Sequence, residues 1–237
     1  MSGQMAGWLA QALATDSPAL PTAGVMQVWL HLGWSVVLAW LGVWLMGRLL
    51  VGPVQTKWLQ WLPGLCLAAW AWVPGPGGAA YWLGLAFQAP SISSVLLCAA
   101  LLGVRWRVPG GAGATLRLWG SGCSCGGPAL WIAALVALLG WTLLLDSFAV
   151  LPMQLYAWGF SPAALFLVVL LALLPWVFGG PMAVWAVAAV AAVVALVFVV
   201  WRVPSGNVWD ALLDPWLFLA LQVWVLKQGL KRYKKRS

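Results

Sequence analysis

The chain has 237 residues, 64% of them hydrophobic and 7% charged, with a formal net charge of +8. A chain of this length with so few charges cannot cover an apolar core with polar surface, so a soluble globular fold is excluded and the lipid bilayer is the expected solvent. The positive excess does not indicate nucleic acid, because Lys227, Lys231, Arg232, Lys234, Lys235 and Arg236 crowd the end of the chain, directly after an apolar run. That placement suits a topogenic tail against anionic lipid.

Residues 1–24 form an external amino-terminal segment with no Lys or Arg, hence no positive region of a cleavable signal peptide. Met5, Trp8, Leu9, Ala12 and Leu13 recur at helical spacing, which suits a short amphipathic helix along the outer interface, with a frayed tail as the alternative reading. From residue 25 to 230 seven apolar runs approach the length of a spanning helix, at about 25–47, 58–74, 80–104, 129–148, 160–179, 182–203 and 211–230. The second closes on the breaker run Val73-Pro74-Gly75-Pro76-Gly77-Gly78, a tight external turn. The seventh spans only if Lys227 snorkels to the inner interface. Residues 231–237 are a basic cytoplasmic tail. The fold class expected is all-α, a polytopic membrane helical bundle of about seven transmembrane helices.

Charge orients these runs. Eleven of the twelve Lys and Arg fall on one side, while Asp16, Asp146, Asp210 and Asp214 fall on the other with Arg202 as the one basic exception. The positive-inside rule then places the amino terminus in the periplasm and the carboxyl terminus in the cytoplasm of a bacterial inner membrane. Tryptophan follows the same map: Trp29, Trp72, Trp82, Trp158, Trp201, Trp209 and Trp216 fall near the outer boundary, and Trp44, Trp58, Trp106, Trp131, Trp176 and Trp185 near the inner one.

Runs 1–3 and 5–7 share an orientation, with run 4 as connector, the pattern of a 3+1+3 parallel repeat. Trp82-Leu83-Gly84-Leu85-Ala86-Phe87-Gln88 and Trp216-Leu217-Phe218-Leu219-Ala220-Leu221-Gln222 both read W-L-x-L-A-x-Q. Val73-Pro74 pairs with Val203-Pro204, Gly52-Pro53 with Gly180-Pro181, and Met26-Gln27-Val28-Trp29 with Met153-Gln154-Leu155-Tyr156. Chance matching in a chain rich in Leu, Ala and Trp is the competing explanation. The plan is similar in topology to that of the SWEET sugar transporters, but the Pro-Gln dipeptide marking the related PQ-loop family is absent.

Chemistry has few carriers. His31 is the single histidine, which excludes bis-His haem ligation within the chain. Cys66 and Cys98 sit inside runs, away from Cys123 and Cys125 in the loop at 105–127, so no metal site and no cofactor are expected. Gly110, Gly111 and Gly113 in that loop lack the Lys-Ser/Thr ending of a phosphate loop.

Gln88-Ala89-Pro90-Ser91-Ile92-Ser93-Ser94 puts a proline and polar side chains into the third run. It can act as a substrate-lining break, with Gln88, Ser91, Ser93, Ser94 and Gln222 as candidate residues, or as helix-internal hydrogen bonding. Arg202, Asp210, Asp214 and Asp146 form a candidate external polar cluster, read either as an ion pair fixing a turn or as a cation or proton entry. The acid–base groups of a lipid-modifying enzyme would be limited to His31, Asp146, Asp210 and Asp214.

This poverty points away from an enzyme. It favours a non-catalytic subunit or assembly factor of a larger membrane complex, partnered by lipid and other membrane subunits. The alternative is a small neutral-solute transporter with pseudo-twofold halves.

Overall fold

The computed structural model describes residues 18, 20–49, 57–107, 127–179 and 182–233. The expected amino-terminal interfacial helix, the glycine-rich loop with Cys123 and Cys125, and Lys234, Lys235 and Arg236 lie outside the described residues. Within them the chain is all-helical with no strand. That is the outcome lipid demands of a backbone whose polar groups must be satisfied within each segment.

Among the described residues three helices are long and apolar enough to cross a membrane: Ala23–Leu49, Leu130–Ser147 and Val184–Trp201. The other expected runs fall short for distinct reasons. Pro162–Phe178 is apolar but has 17 residues, and the second run is a 15-residue helix, Lys57–Ala71. The third is divided into Ala79–Phe87 and Ile92–Arg107. The last, Pro215–Tyr233, is 19 residues long but carries Lys227, Lys231 and Arg232.

Contacts divide the chain into two units, Thr22–Cys125 and Gly126–Ser237 with Met1–Pro21. In the first, α1 (Ala23–Leu49) packs along α2 (Lys57–Ala71), followed by a 3-10 turn at Gly75–Gly77, α3 (Ala79–Phe87) and α4 (Ile92–Arg107). The α1–α2 crossing depends on glycine. A Cβ on Gly42 would stand 2.8 Å from the Gly64 Cα, and one on Gly64 2.6 Å from the Ala39 carbonyl oxygen, so any side chain at either position would push the helices apart. Trp34, Ala71 and Ala80 form the core beside Leu30, Val37, Leu38 and Leu83.

The second unit comprises α5 (Gly127–Ser147), a single turn α6 (Leu155–Trp158), α7 (Pro162–Phe178), α8 (Met182–Trp201), a short α9 (Val208–Leu212) and α10 (Pro215–Tyr233). Here α8 packs on α7, and α5 packs on α10. The helix expected to connect two triplets therefore belongs to the second unit. Two helices of this unit, α7 and α10, begin at side-chain caps: Ser161 Oγ accepts from the Ala164 amide at 3.3 Å, and the Asp214 carboxylate from the Leu217 amide at 2.7 Å, each followed by Pro at the first helical position.

Candidate functional site

The third run breaks where its proline and serines fall. α3 ends at Gln88, whose φ of 61° and ψ of −161° lie in backbone space that favours glycine, and α4 starts after Ser91. Ser91 is the new helix's cap, its Oγ accepting from the Ser94 amide at 3.0 Å. Ser91, Ser93 and Ser94 are buried, whereas the Gln88 side chain is exposed.

A break frees backbone carbonyls, and here α1 supplies their donors. The Trp34 indole Nε1–H donates to the Gln88 carbonyl at 3.0 Å, and that of Trp29 to the Pro90 carbonyl at 2.9 Å. Residues 29, 33 and 34 share one face of α1, and Gly33 lets the proline ring lie close: a Cβ there would be 3.1 Å from Pro90 Cδ. Both indoles are buried, Trp29 at 6% exposure and Trp34 at 3%. Trp29 is thus an internal donor, its ring packed within the first unit.

Trp70 and Trp82 cap the Gly77 and Pro76 carbonyls of the neighbouring turn in the same way, both at 2.8 Å. An indole has one strong donor on a large apolar body, which suits it to a carbonyl that water cannot reach. His31 Nδ1–H donates to the Gln27 carbonyl at 2.8 Å, with its ring 5.6 Å from that of Trp72.

In the second unit the polar cluster around Asp146 and Asp210 is assembled by two facing segments, 146–161 and 202–214. Asp146 Oδ2 accepts from the Tyr156 amide at 2.7 Å, and the Tyr156 hydroxyl donates to Asp210, 2.9 Å from Oδ2. Ser205 Oγ donates to the same carboxylate. Asn207, with no exposed surface, bridges the segments: its Nδ2 donates to the Tyr156 carbonyl at 2.9 Å, and its Oδ1 caps α9 through the Trp209 amide at 2.9 Å. Trp209 Nε1–H adds a bond to the Leu155 carbonyl at 2.9 Å.

Gly159 is pressed against this bridge, since a Cβ there would lie 2.0 Å from Asn207 Oδ1. Burial raises Asp210 above the ordinary carboxylate range, against the lowering effect of its Ser205 and Tyr156 bonds. Burial and the neighbouring carboxylate also raise the Tyr156 phenol, so it stays a donor across the neutral range.

Among the described residues Asp210 is held by Tyr156 and Ser205 rather than by Arg202. Its guanidinium lies 5.2 Å from the centre of the Phe198 ring, its backbone has a positive φ of 55°, and a cis Val203-Pro204 bond follows. Asp210 and Asp214 belong to different helices: α9 ends at Leu212, and Asp214 caps α10.

Gln88 and Gln222 also occupy different settings. The first terminates a helix, whereas the second lies within α10 with its Nε2 buried and without a hydrogen-bond partner among the described residues. Sequence reasoning missed Tyr156, Ser205 and Asn207. Asn207 before Val208-Trp209-Asp210 is the local signal that could have found the cap. No family model matches this chain, and neither does any curated protein or solved structure.

Proposed function

We propose that the chain is a multi-pass protein of a bacterial inner membrane, a non-catalytic subunit or assembly factor of a larger membrane complex. The observation that carries this reading is the fate of the polar groups at both interruptions. The carbonyls freed around Pro90 are taken by Trp29 and Trp34, and the Asp210 carboxylate by Tyr156 and Ser205. Groups committed to internal bonds hold a shape. They are poorly placed to turn over a substrate.

The proposed topology has seven spans, amino terminus outside and carboxyl terminus inside, with the divided third run crossing as α3 plus α4 and α10 crossing with Lys227 at the inner interface. Support comes from charge: without the last crossing, Lys231 and Arg232 would lie outside, opposite Arg48, Lys57, Arg105, Arg107 and Arg117 of the inner loops. Affinity purification in a mild detergent followed by mass spectrometry tests the subunit reading. Stoichiometric membrane partners are expected, and recovery of the chain alone contradicts it. A cysteine placed after Ser237 should resist a periplasmic thiol reagent; its labelling would remove the seventh span and with it the repeat.

One observation favours the neutral-solute transporter as the second reading, namely the discontinuous third helix, the kind of element that lines transporter sites. Under that reading Gln88→Ala and Gln222→Ala abolish uptake of a neutral solute without lowering the amount of protein in the membrane. Unchanged uptake in both would exclude it.

A further inference from the structure

The stretch 22–125 contains Arg48, Lys57, Arg105, Arg107 and Arg117 and not one Asp or Glu. Three of those arginines converge at one end of the first unit, where the carboxyl ends of α1 and α4 meet the amino end of α2. Arg105 on α4 fixes the convergence: its Nη2 donates to Gln60 Oε1 on α2 at 3.1 Å, and the same atom fills the space beside Gly47 on α1, 2.0 Å from where a Cβ would stand. Trp106 packs edge-on against Trp61 of α2 with ring centres 5.2 Å apart, and the Arg48 guanidinium lies 5.4 Å from the Trp44 ring. Arg48 and Arg107 are exposed, as are Trp58 and Trp106 around them.

Helix dipoles do not neutralise this end. The carboxyl ends of α1 and α4 supply roughly −0.5 charge each and the amino end of α2 roughly +0.5, against three arginine charges. The surplus is about two positive charges or more, and no carboxylate within the unit's sequence can offset it. The Arg105 Nε–H is moreover buried with no hydrogen-bond partner among the described residues. A buried, unpaired donor in a guanidinium is the costly arrangement that an anionic oxygen relieves.

We infer that this end of the first unit binds the phosphate headgroup of an anionic phospholipid, with Arg48, Arg105 and Arg107 as the phosphate-directed groups and Trp58 and Trp106 beside the glycerol and upper acyl chains. The argument for lipid over a free anion is the surround. Leu45, Leu49, Leu59 and Leu62 are exposed on α1 and α2 toward the same end, and apolar side chains there suit acyl chains. The inference rests on the chain lying in a membrane and is independent of whether it is a complex subunit.

The test titrates the delipidated full chain, in neutral detergent, with phosphatidylglycerol, phosphatidylcholine or inorganic phosphate, reading retained lipid by native mass spectrometry and protection by thermal shift. Phosphatidylglycerol is expected to be retained and protective. Arg48→Gln with Arg107→Gln should weaken it roughly 25-fold, at about fivefold for each arginine near the surface. Arg48→Lys with Arg107→Lys should keep most of the binding, and wild-type binding should weaken as salt rises.

Equal retention of phosphatidylcholine overturns the inference, as does equal protection by inorganic phosphate, undiminished binding in the Gln variant, or indifference to salt. Should the Gln variant fail to fold, the Lys variant and the salt series decide alone. Loss of phosphatidylglycerol binding would leave the partner pull-down unaffected, so the two proposals fail separately.

Discussion

At residues 88–91 the first unit holds an interrupted helix with neutral donors, two indole N–H groups from α1 reaching the Gln88 and Pro90 carbonyls. At residues 202–214 the second unit holds an irregular turn with an amide, two hydroxyls and a carboxylate centred on Asn207 and Asp210. The structural task is the same, pairing backbone groups that a regular helix would have paired itself. The chemistry differs in its sensitivity. Indole donors do not titrate and are indifferent to pH, whereas the second turn contains an acid whose protonation changes the charge it buries.

Mutations can break this comparison, and the largest effect is expected at Asn207. Asn207→Ala removes the bridge to the Tyr156 carbonyl and the cap on the Trp209 amide at a fully buried position, so a loss of about 3 kcal/mol is expected in denaturant unfolding. Next comes the first unit. Trp34→Phe keeps most of the ring but orphans the Gln88 carbonyl, and should cost about 2 kcal/mol, uniformly across pH. A pH-dependent loss in that variant would show that the break contains a titrating group.

The helical nature of the chain and its apolar runs were legible because composition and hydropathy act locally. So was the vulnerable point of the third run, since Pro90 removes a backbone donor wherever it sits in a helix. Its repair was not. Trp29 and Trp34 lie 61 and 54 residues from the carbonyls they reach, and nothing in a single sequence distinguishes an indole that faces lipid from one that turns inward.

The polar cluster of the second unit was legible in part. Asp146 and Asp210 meet through Tyr156, whereas the reading of Arg202 as the ion-pair partner of the nearby acids rested on closeness in sequence, and its guanidinium lies over the Phe198 ring. Short helices such as α6 and α9 were invisible because four or five residues carry no periodic signal.

Asp210 sharpens the contrast. Because burial raises it above the ordinary carboxylate range, folding favours the protonated acid. Its contribution is full below the ordinary range and is lost as pH rises through the raised value. Thermal stability of the second turn should therefore fall with rising pH over that window, and Asp210→Asn should flatten the profile. The smallest effect is expected at Gln88, where Gln88→Gly relieves the positive-φ backbone and should stabilise by about 1 kcal/mol.

Hydrogen exchange at the indole N–H groups of Trp29, Trp34 and Trp209, followed by NMR in detergent micelles, tests most directly the claim that the chain's own side chains seal its interruptions. The account predicts that all three exchange far more slowly than those of exposed Trp58 and Trp106, with Trp29 and Trp34 unaffected by pH beyond the intrinsic rate. Exchange of Trp29 and Trp34 as fast as that of Trp58 would mean the carbonyls at the first break are open, and would contradict it.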